Sequence, residues 1–228
     1  MRTLPAIPGR RTGVSPRLGL PAIERAHLPR ALALGYLGFL AVYLGCGYFH
    51  LRTPQRLAPG PLDLWFAYLP WTVWVYLSQV PLLILALALA PDAVGRSRAF
   101  YAMLLATLLA GAVFLIWPTE LPRPAPPQDG ITGAAWRALF LADVPRNCFP
   151  SLHVALALIA AATLRQRAGW RIVAPLWALV IVLSTLTTRQ HIALDVAGGV
   201  LLAPPAWLIA GKLFVHERAR PTAHPAGR

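Results

Sequence analysis

Charged residues are scarce in this chain, and lysine is almost absent. Only 13% of the 228 residues are charged while 57% are hydrophobic, and Lys212 is the only lysine. A soluble domain of this length has too little interior to bury so much apolar surface, because small folded proteins keep most side chains near water. The composition therefore excludes an ordinary soluble domain and indicates that lipid surrounds much of the chain.

Cysteine and acidic residues are also few, which excludes several kinds of site. The two cysteines, Cys46 and Cys148, match no metal-ligand or redox spacing. Only eight residues are Asp or Glu, and no cluster of them suits a metal ion. We therefore predict a site that works with neither a metal nor another cofactor.

The net charge of +13 does not indicate a nucleic-acid partner. In a soluble protein such a charge would suggest one. Here the arginines lie in tails and in short loops between apolar runs, where they anchor and orient helices. The expected surroundings are a bilayer and a membrane lipid, and the sequence indicates no particular oligomeric state.

Six apolar runs approach the length of about 20 residues that a helix needs to span a bilayer. Their approximate bounds are Ala31–Phe49, Pro70–Ala90, Ala99–Trp117, Ser151–Leu164, Arg171–Thr187 and Ile192–Phe214. We therefore predict an all-α fold, a polytopic membrane bundle with about six transmembrane helices. This domain covers residues 31–215, between tails at 1–30 and 216–228 that are predicted to be disordered. The first tail lacks the apolar core of a signal peptide.

The distribution of basic residues predicts the orientation. With the N-terminus inside, the inner segments carry fifteen Arg and Lys residues and the outer segments carry six. The positive-inside rule then places both termini in the cytoplasm, with the protein in the inner or plasma membrane of a bacterium. Three polar islands, at 119–124, 147–153 and 184–195, would share the extracytoplasmic side.

The second island combines a helix start with a histidine. Pro150 suits the first helical position and is predicted to open the fourth span, with Ser151 and His153 in its first turn. A helix N-terminus offers unpaired N–H groups and a positive dipole end, which suit a phosphate. Taken alone, the motif fits an interfacial cap with a solvated histidine equally well.

In the third island, His191 and Asp195 are four residues apart and would share a helix face. A carboxylate bonded to one ring nitrogen fixes the tautomer and leaves the other nitrogen as a nucleophile or base. Asp195 lies in an apolar stretch, and ionisable residues there are candidates for function. A structural histidine–aspartate pair is the alternative, which Arg189 makes weaker by adding an anion-binding charge.

Two arginines border these islands. Arg123, between two prolines, and Arg189 carry forked donors that match phosphate oxygens. Either arginine alone is more often an interface anchor, but beside two histidines phosphate binding becomes the better interpretation. The loop carboxylates Glu120, Asp129 and Asp143 are predicted to be solvated.

The three islands together resemble the type-2 phosphatidic acid phosphatase superfamily, whose signatures are Lys-x6-Arg-Pro, Pro-Ser-Gly-His and Ser-Arg-x5-His-x3-Asp. The matching residues are Arg123-Pro124, Pro150-Ser151-Leu152-His153, and Ser184, His191 and Asp195. The chain departs from the family where Ile116 replaces lysine, Leu152 replaces glycine and Thr185 replaces arginine. The pattern looks most like the inositol-phosphorylceramide and sphingomyelin synthase branch.

The resemblance implies a role for each residue. His191 would attack phosphorus and form a phosphohistidine, Asp195 would orient it, and His153 would protonate the leaving oxygen and later activate the acceptor. The implied phosphate ligands are Arg123, Ser151 and Ser184, with Arg189 in place of the arginine missing at Thr185. The predicted function is a metal-independent lipid-phosphate phosphatase of the membrane.

Two other functions stay open at the level of sequence. An alcohol would meet the same histidines as water, so a head-group phosphotransferase resembling inositol-phosphorylceramide synthase is the alternative. A small transporter that relays protons or anions through His191, Asp195 and Arg189 belongs to another class. Transporters often carry inverted repeats, and none is visible in this chain.

Overall fold

A computed structural model gives the fold of residues 14–16, 20–49, 51–143 and 145–216. Within these ranges the chain forms eight α-helices: α1 (Leu28–Tyr48), α2 (Val73–Leu77), α3 (Gln79–Ala88), α4 (Ala93–Ile116), α5 (Gly130–Ala142), α6 (Leu152–Leu164), α7 (Val173–Thr187) and α8 (Ala193–Leu213). Four short strands join them: β1 (Val14–Pro16), β2 (Gln55–Arg56), β3 (Thr119–Glu120) and β4 (Phe214–His216). Strands β2 and β3 pair in parallel, and β1 pairs with β4 antiparallel.

The helices confirm an all-α polytopic membrane bundle. Five helical segments of the described chain are long and apolar enough to cross a membrane: Arg25–Tyr48, Pro70–Ala88, Ala93–Ile116, Ala168–Thr187 and Ala193–Leu213. Helix α6 is equally apolar but has only 13 residues, and it corresponds to the short fourth run of the sequence. The six predicted runs are therefore six helical units, one of them shorter than a full span.

The ordered chain begins earlier than predicted. Residues 25–27 form a 3-10 helix and α1 begins at Leu28, so the end of the supposedly disordered tail is helical. Pro29 does not prevent this, because N–H groups of the first turn have no intrahelical acceptor. Strand β1 falls in the same tail and pairs with β4. The remaining tail positions, 1–13, 17–19 and 217–228, lie outside the described residues.

The second span is broken between α2 and α3 at Ser78. Pro81 explains the break, since it has no N–H to donate to the carbonyl of Leu77 four residues earlier. Ser78 stabilises the break by donating to the carbonyl of Val75 at 2.6 Å and accepting from the indole of Trp177 at 2.9 Å.

Small residues let the central helices approach closely. Helices α4, α6 and α8 meet in a buried cluster that is rich in alanine: Ala102, Ala106, Ala110, Ala155, Ala203, Ala206 and Ala210. Small side chains at helix crossings allow close backbone contact, which is how membrane helices gain packing energy in lipid. This close packing fixes α6 and α8 relative to each other, and both carry candidate site residues.

The three polar islands meet at one end of this bundle. The N–H of Phe149 donates to the hydroxyl of Thr119 at 3.0 Å, which joins the first island to the second. The N–H of Ser151 donates to the carbonyl of Asp195 at 2.9 Å, which joins the second to the third. The chain therefore assembles one polar site from three segments that are far apart in sequence.

Candidate active site

The histidine–aspartate pair of the third island lies at the start of α8. After α7 ends, a tight turn forms in which the N–H groups of Gln190 and His191 both donate to the carbonyl of Thr185 at 3.1 Å. Nδ1 of His191 is 3.4 Å from Oδ2 of Asp195, and the N–H of Ile192 donates to the same oxygen at 3.1 Å. The carboxylate is fully buried and can only accept, so Nδ1 carries the proton. The lone pair of a neutral His191 is therefore on Nε2.

The contact between this pair is long for a hydrogen bond. Catalytic hydrogen bonds are often long in a free enzyme and tighten when substrate binds. Because Asp195 also holds the backbone of Ile192, its carboxylate is fixed before any substrate arrives. The geometry orients the His191 ring without engaging its second nitrogen.

His153 of the second island has the opposite tautomer. Its Nε2 is 3.0 Å from the carbonyl of Tyr76, an oxygen that only accepts, so Nε2 carries the proton and Nδ1 bears the lone pair. The ring also stacks on that of Tyr76, with centroids 3.8 Å apart. The broken second span thus positions this histidine.

The helix start of the second island lies two residues later than predicted, at Leu152 rather than Pro150. Ser151 is the N-cap of α6, and its hydroxyl accepts from the N–H of Val154 at 3.3 Å. Pro150 precedes the cap rather than occupying the first helical position, because a serine side chain satisfies a first-turn N–H group that proline would only tolerate. His153 nevertheless lies in the first turn, as predicted.

Gly198 and Gly199 of α8 allow the second and third islands to touch. A Cβ at Gly199 would lie 2.4 Å from the carbonyl oxygen of Ser151, and a Cβ at Gly198 would lie 2.6 Å from the ring of Phe149. The Ser151 oxygen is backbone and cannot rotate away, so glycine at position 199 is required for the contact between α8 and the start of α6, whereas the Phe149 ring next to Gly198 can turn. A glycine pair in an apolar helix is the sequence signal that could have revealed this crossing.

Both histidines line one cavity of about 590 Å³. Its polar end is formed by side chains that include Tyr43, Asp143, Asn147, His153 and His191. From there it runs between α1, α3 and α4, where its walls are almost entirely apolar. Ala31 and Tyr43 on α1 both line it, and they are about 18 Å apart at the rise of an α-helix.

Arg123 lies beside this cavity rather than in it. Its guanidinium donates to the backbone carbonyl of Asp143 at 3.0 Å and to the carboxylate of Asp143 at 3.1 Å. Burial, the largest single effect, would lower the pKa of Arg123, but Asp143 together with Tyr43, Tyr76 and Cys148 raises that pKa overall. Arg123 lines a second cavity of about 570 Å³, and Asp143 belongs to the walls of both.

The prediction that Asp143 is solvated is therefore wrong. Besides Arg123, its carboxylate accepts a hydrogen bond from the hydroxyl of Tyr43. Both partners are distant in sequence, so no local pattern around Asp143 could indicate them. The Asp143 carboxylate therefore binds Arg123, the arginine that is predicted to bind phosphate.

Arg189 is engaged by backbone carbonyls. Its guanidinium donates to the carbonyls of Asp63 at 3.1 Å and Phe66 at 2.6 Å, and it lines neither cavity. The carboxylate of Asp63 in turn accepts from the N–H of Ala193, at the start of α8, at 2.7 Å. Arg189 thus holds the segment that caps α8. Its predicted role as a phosphate ligand requires these bonds to be exchanged.

The two serines have structural partners. The hydroxyl of Ser184 donates to the carbonyl of Ile181 at 2.6 Å within α7, and Ser151 caps α6. Both serines are buried, and neither lines a cavity. Thr185, at the family's arginine position, is also fully buried. Contact between either serine and phosphate stays a prediction.

Cys148 lies next to the site but packs as an apolar residue. It is buried against Leu121 and Ile192. Burial, assisted by the negative charge of Asp195, raises the pKa of its thiol to about 12. The thiol is therefore protonated at neutral pH, which agrees with a packing role rather than a nucleophilic one. In the described part of the chain, no three His, Cys, Asp or Glu side chains are grouped as metal ligands would be.

A buried histidine–aspartate pair and a second histidine on one membrane cavity define a candidate site for nucleophilic and acid–base catalysis. The family model described as the PAP2 superfamily matches residues 65–209, more than half of the chain and all three islands. The chain belongs to this superfamily, which confirms the family predicted from the motifs. Searches of curated proteins and of solved structures returned no match.

Membership supports an enzyme of the phosphatase or phosphotransferase type that acts on lipid phosphates. It agrees with an integral membrane protein, as the apolar helices indicate. The branch that resembles inositol-phosphorylceramide synthase stays a prediction.

The contacts of Arg189 lead to a testable prediction. Arg189→Lys keeps the charge but cannot donate to both carbonyls in the same geometry, so the unfolding free energy is expected to fall by about 1–2 kcal/mol. Thermal unfolding in detergent would measure the loss, with the exposed Arg165→Lys as the matched control. Unchanged stability together with weaker inhibition by inorganic phosphate would instead assign Arg189 to the phosphate.

Proposed function

We propose that this protein is an integral-membrane lipid-phosphate phosphatase that works through a phosphohistidine intermediate. The observation that carries the proposal is that both histidines line one cavity, each with one ring nitrogen held by an acceptor. His191 presents an unprotonated Nε2, and His153 presents Nδ1, on the same cavity. A nucleophile and an acid–base group in one pocket are what two-step displacement at phosphorus requires.

The first step transfers the phosphoryl group to the enzyme. The Nε2 lone pair of His191 forms a bond to phosphorus while the bond from phosphorus to the lipid oxygen breaks. His153 takes up a proton at Nδ1 as the negatively charged phosphate binds beside it, and then gives that proton to the leaving oxygen. Asp195 stabilises the positive charge that develops on the His191 ring.

The second step returns the enzyme to its starting state. Water gives a proton to Nδ1 of His153 as its oxygen attacks phosphorus, and the nitrogen–phosphorus bond breaks. Inorganic phosphate leaves, the Nδ1 proton of His153 is released, and both histidines are neutral again. Arg123 would stabilise charge on the phosphoryl oxygens after exchanging part of its contact with Asp143. The arginine distribution supports an extracytoplasmic site and cytoplasmic termini.

Phosphate release from a panel of lipid phosphates tests this function. The purified protein, reconstituted with EDTA present, should release inorganic phosphate and carry a label that is labile to acid and stable to alkali, as phosphohistidine is. Glycerol, inositol and diacylglycerol added as acceptors would reveal phosphoryl transfer if a phosphate monoester of the acceptor replaced inorganic phosphate. A phosphodiester lipid offered as donor would reveal head-group transfer if the head group passed to the acceptor together with the phosphate. Solute flux in liposomes without any phosphate release would favour a transporter.

The cavity fits one hydrocarbon chain of the lipid. Its length of about 18 Å along α1 is close to the depth of one leaflet, about half of a 30 Å hydrocarbon core. Apolar walls with a few polar groups at one end are typical of ligand sites. We place the phosphate at the histidine end and the chain between α1 and α3.

Filling the far end of the cavity should therefore change chain-length selectivity. In Leu32→Trp the indole occupies space that a long chain needs, because Leu32 lines the cavity near the start of α1. The kcat/KM for a lipid phosphate with 16-carbon chains is expected to fall about tenfold, while an 8-carbon substrate is affected less than twofold. This estimate takes about two lost CH₂ contacts at about 0.8 kcal/mol each, with about 1.4 kcal/mol for each factor of ten.

The matched control is Leu37→Trp, since Leu37 is exposed on the same helix and does not line the cavity. Leu37→Trp should leave the kcat/KM for both substrates at the wild-type value. Equal losses for long and short chains in Leu32→Trp would show that the chain lies elsewhere.

A further inference from the structure

The loop before the second span exposes large apolar side chains although it belongs to no spanning helix. In a short 3-10 helix of this loop, Leu62, Leu64 and Trp65 are 61%, 77% and 84% exposed. Between positions 57 and 78 the sequence contains a single charged residue, Asp63, and that residue is buried. Contiguous exposed apolar side chains of this kind mark a surface that contacts a protein or a membrane.

The buried side of this loop is bonded to the chain that follows His191. Both oxygens of the Asp63 carboxylate accept hydrogen bonds, one from the N–H of Gly60 at 2.8 Å and one from the N–H of Ala193 at 2.7 Å. Ala193 is the first residue of α8, where N–H groups have no acceptor within the helix. Asp63 therefore joins the loop to the chain two residues after His191.

The same loop holds the chain that precedes His191. The N–H of Leu69 donates to the carbonyl of Thr187 at 2.8 Å, and the guanidinium of Arg189 donates to two carbonyls of the loop. Arg189 has a left-handed backbone with φ 56°, which is costly for a residue other than glycine and persists only where surrounding contacts enforce it. We term residues 60–69 the anchor segment, because its contacts fix the His191 turn from both sides.

The partner that fits the outward side of the anchor segment is the lipid interface. Tryptophan is enriched where lipid head groups meet hydrocarbon. Trp65, Trp71 and Trp74 are all at least 45% exposed, and the last two belong to the start of the second span. The apolar surface of the anchor segment therefore continues directly into the lipid-facing surface of the bundle.

We propose that the anchor segment lies in the membrane interface on the side of the active site, and that its contact with lipid keeps the His191 turn in place. The bilayer would thereby act on the geometry of His191 through Asp63 and Arg189. The position of the segment is independent of the proposed function, and its effect on turnover rests on that function.

A fluorophore sensitive to polarity reports where the segment lies. Leu64→Cys is labelled with a nitrobenzoxadiazole group, while Cys46 and Cys148 are buried and take no label. In phosphatidylcholine vesicles, a doxyl quencher on the lipid acyl chains should reduce the emission about twofold more than for a label at Asp129→Cys, an exposed loop position. Equal quenching at both positions overturns the proposal, and a disulfide-linked dimer of Leu64→Cys would then identify a second copy as the partner.

Hydrogen exchange tests the connection to His191. Trp65→Gln removes a highly exposed apolar side chain, and in vesicles the amides of residues 187–193 should then exchange about threefold faster, because the turn opens more often. Leu51→Gln is the matched control, since Leu51 is 77% exposed and its N–H donates to the carbonyl of Leu115 rather than to the turn. It should exchange at the wild-type rate. Unchanged exchange in Trp65→Gln overturns the proposal.

Phosphate release by the same proteins separates this proposal from the proposed function. Trp65→Gln is expected to lose about fivefold in rate in vesicles, because a small displacement of the nucleophile is costly, while Leu51→Gln keeps the wild-type rate. If the wild type releases no phosphate, the proposed function fails, and quenching and exchange still decide whether the anchor segment is correct.

Discussion

Replacing His191 is expected to reduce phosphate release by a factor of about 10⁴ or more, because removing the nucleophile of a covalent mechanism leaves only binding and electrostatic catalysis. The sharpest variant is His191→Asn. Its amide N–H can still donate to Asp195, as Nδ1 does now, but nothing replaces Nε2. The buried carboxylate would therefore keep a partner, and the variant should fold.

The measurement is phosphate release from a lipid phosphate by protein that is purified to the same folded fraction. His27→Ala is the control, since His27 is exposed at the start of α1 and lines neither cavity. It should retain full activity. Trapping of an acid-labile phosphoenzyme should succeed with the wild type and fail with His191→Asn. Full turnover in His191→Asn would rule out the proposed nucleophile.

His153 should produce a different kinetic signature. In His153→Gln the side-chain amide can still donate to the carbonyl of Tyr76, but the acid at Nδ1 is gone. Proton transfer of this kind contributes about 10²–10⁴-fold. An ester with a good leaving group, such as p-nitrophenyl phosphate, needs no proton and should recover most of the first-step rate. A rate loss that is independent of the leaving group would assign His153 to binding instead.

Local spacing predicts part of the site well. The interval from His191 to Asp195 predicts that the two side chains meet on a shared helix face. The structure has them in contact, but His191 lies in the turn two residues before α8 begins, so only Asp195 is on the helix. The connectivity of six apolar runs predicts that the islands meet, and hydrogen bonds join them at one end of the bundle. These features are carried by helix periodicity and by the length of a span, both of which are local properties.

Long-range partners could not be predicted in this way. The sequence predicts that Asp143 is a solvated loop carboxylate. In the structure it binds Arg123 and Tyr43, because folding brings three segments together. The sequence predicts that Arg189 is a phosphate ligand. In the structure its guanidinium donates hydrogen bonds to backbone carbonyls more than a hundred residues earlier in the chain. A guanidinium has the same donors for either acceptor, so residue type alone cannot distinguish a ligand contact from a backbone contact.

These contacts bear on how phosphate is held. The family positions for lysine and arginine carry Ile116 and Thr185 here, the first exposed at the end of α4 and the second fully buried. With Arg189 engaged by carbonyls, Arg123 is the cation best placed to reach the site, and Asp143 restrains it. In the proposed mechanism, a phosphate dianion therefore competes with the Asp143 carboxylate for Arg123. This competition favours substrates whose chains contribute binding energy of their own in the apolar cavity.

The largest expected effect on stability belongs to Gly199, whose substitution separates α6, which carries His153, from α8, which carries Asp195, the partner of His191. The methyl group of Gly199→Ala would lie 2.4 Å from the carbonyl oxygen of Ser151 and 2.8 Å from the Cβ of Val154. The first of these atoms is backbone, so it cannot rotate away as the end of a side chain can. Overpacking of this kind typically costs about 1–3 kcal/mol and sometimes more.

The same displacement should disable the site. To relieve the clash, α6 must move away from α8, which stretches the bond from the N–H of Ser151 to the carbonyl of Asp195. His153 would then shift relative to His191, and a displacement near 1 Å can cost about 100-fold in rate. We therefore expect Gly199→Ala to lower both Tm and the phosphate release of the protein that remains folded.

Two other glycines serve as comparisons. Gly38→Ala on α1 meets nothing within 4 Å, so it should leave activity unchanged and raise stability slightly, because alanine favours the helix. Gly198→Ala meets mainly the ring of Phe149, which can turn, and should be milder than Gly199→Ala. Thermal unfolding and phosphate release should therefore show no loss in Gly38→Ala, a larger loss in Gly198→Ala and the largest loss in Gly199→Ala. Wild-type stability and activity in Gly199→Ala would mean that α6 and α8 are not in the close contact on which the paired-histidine site depends.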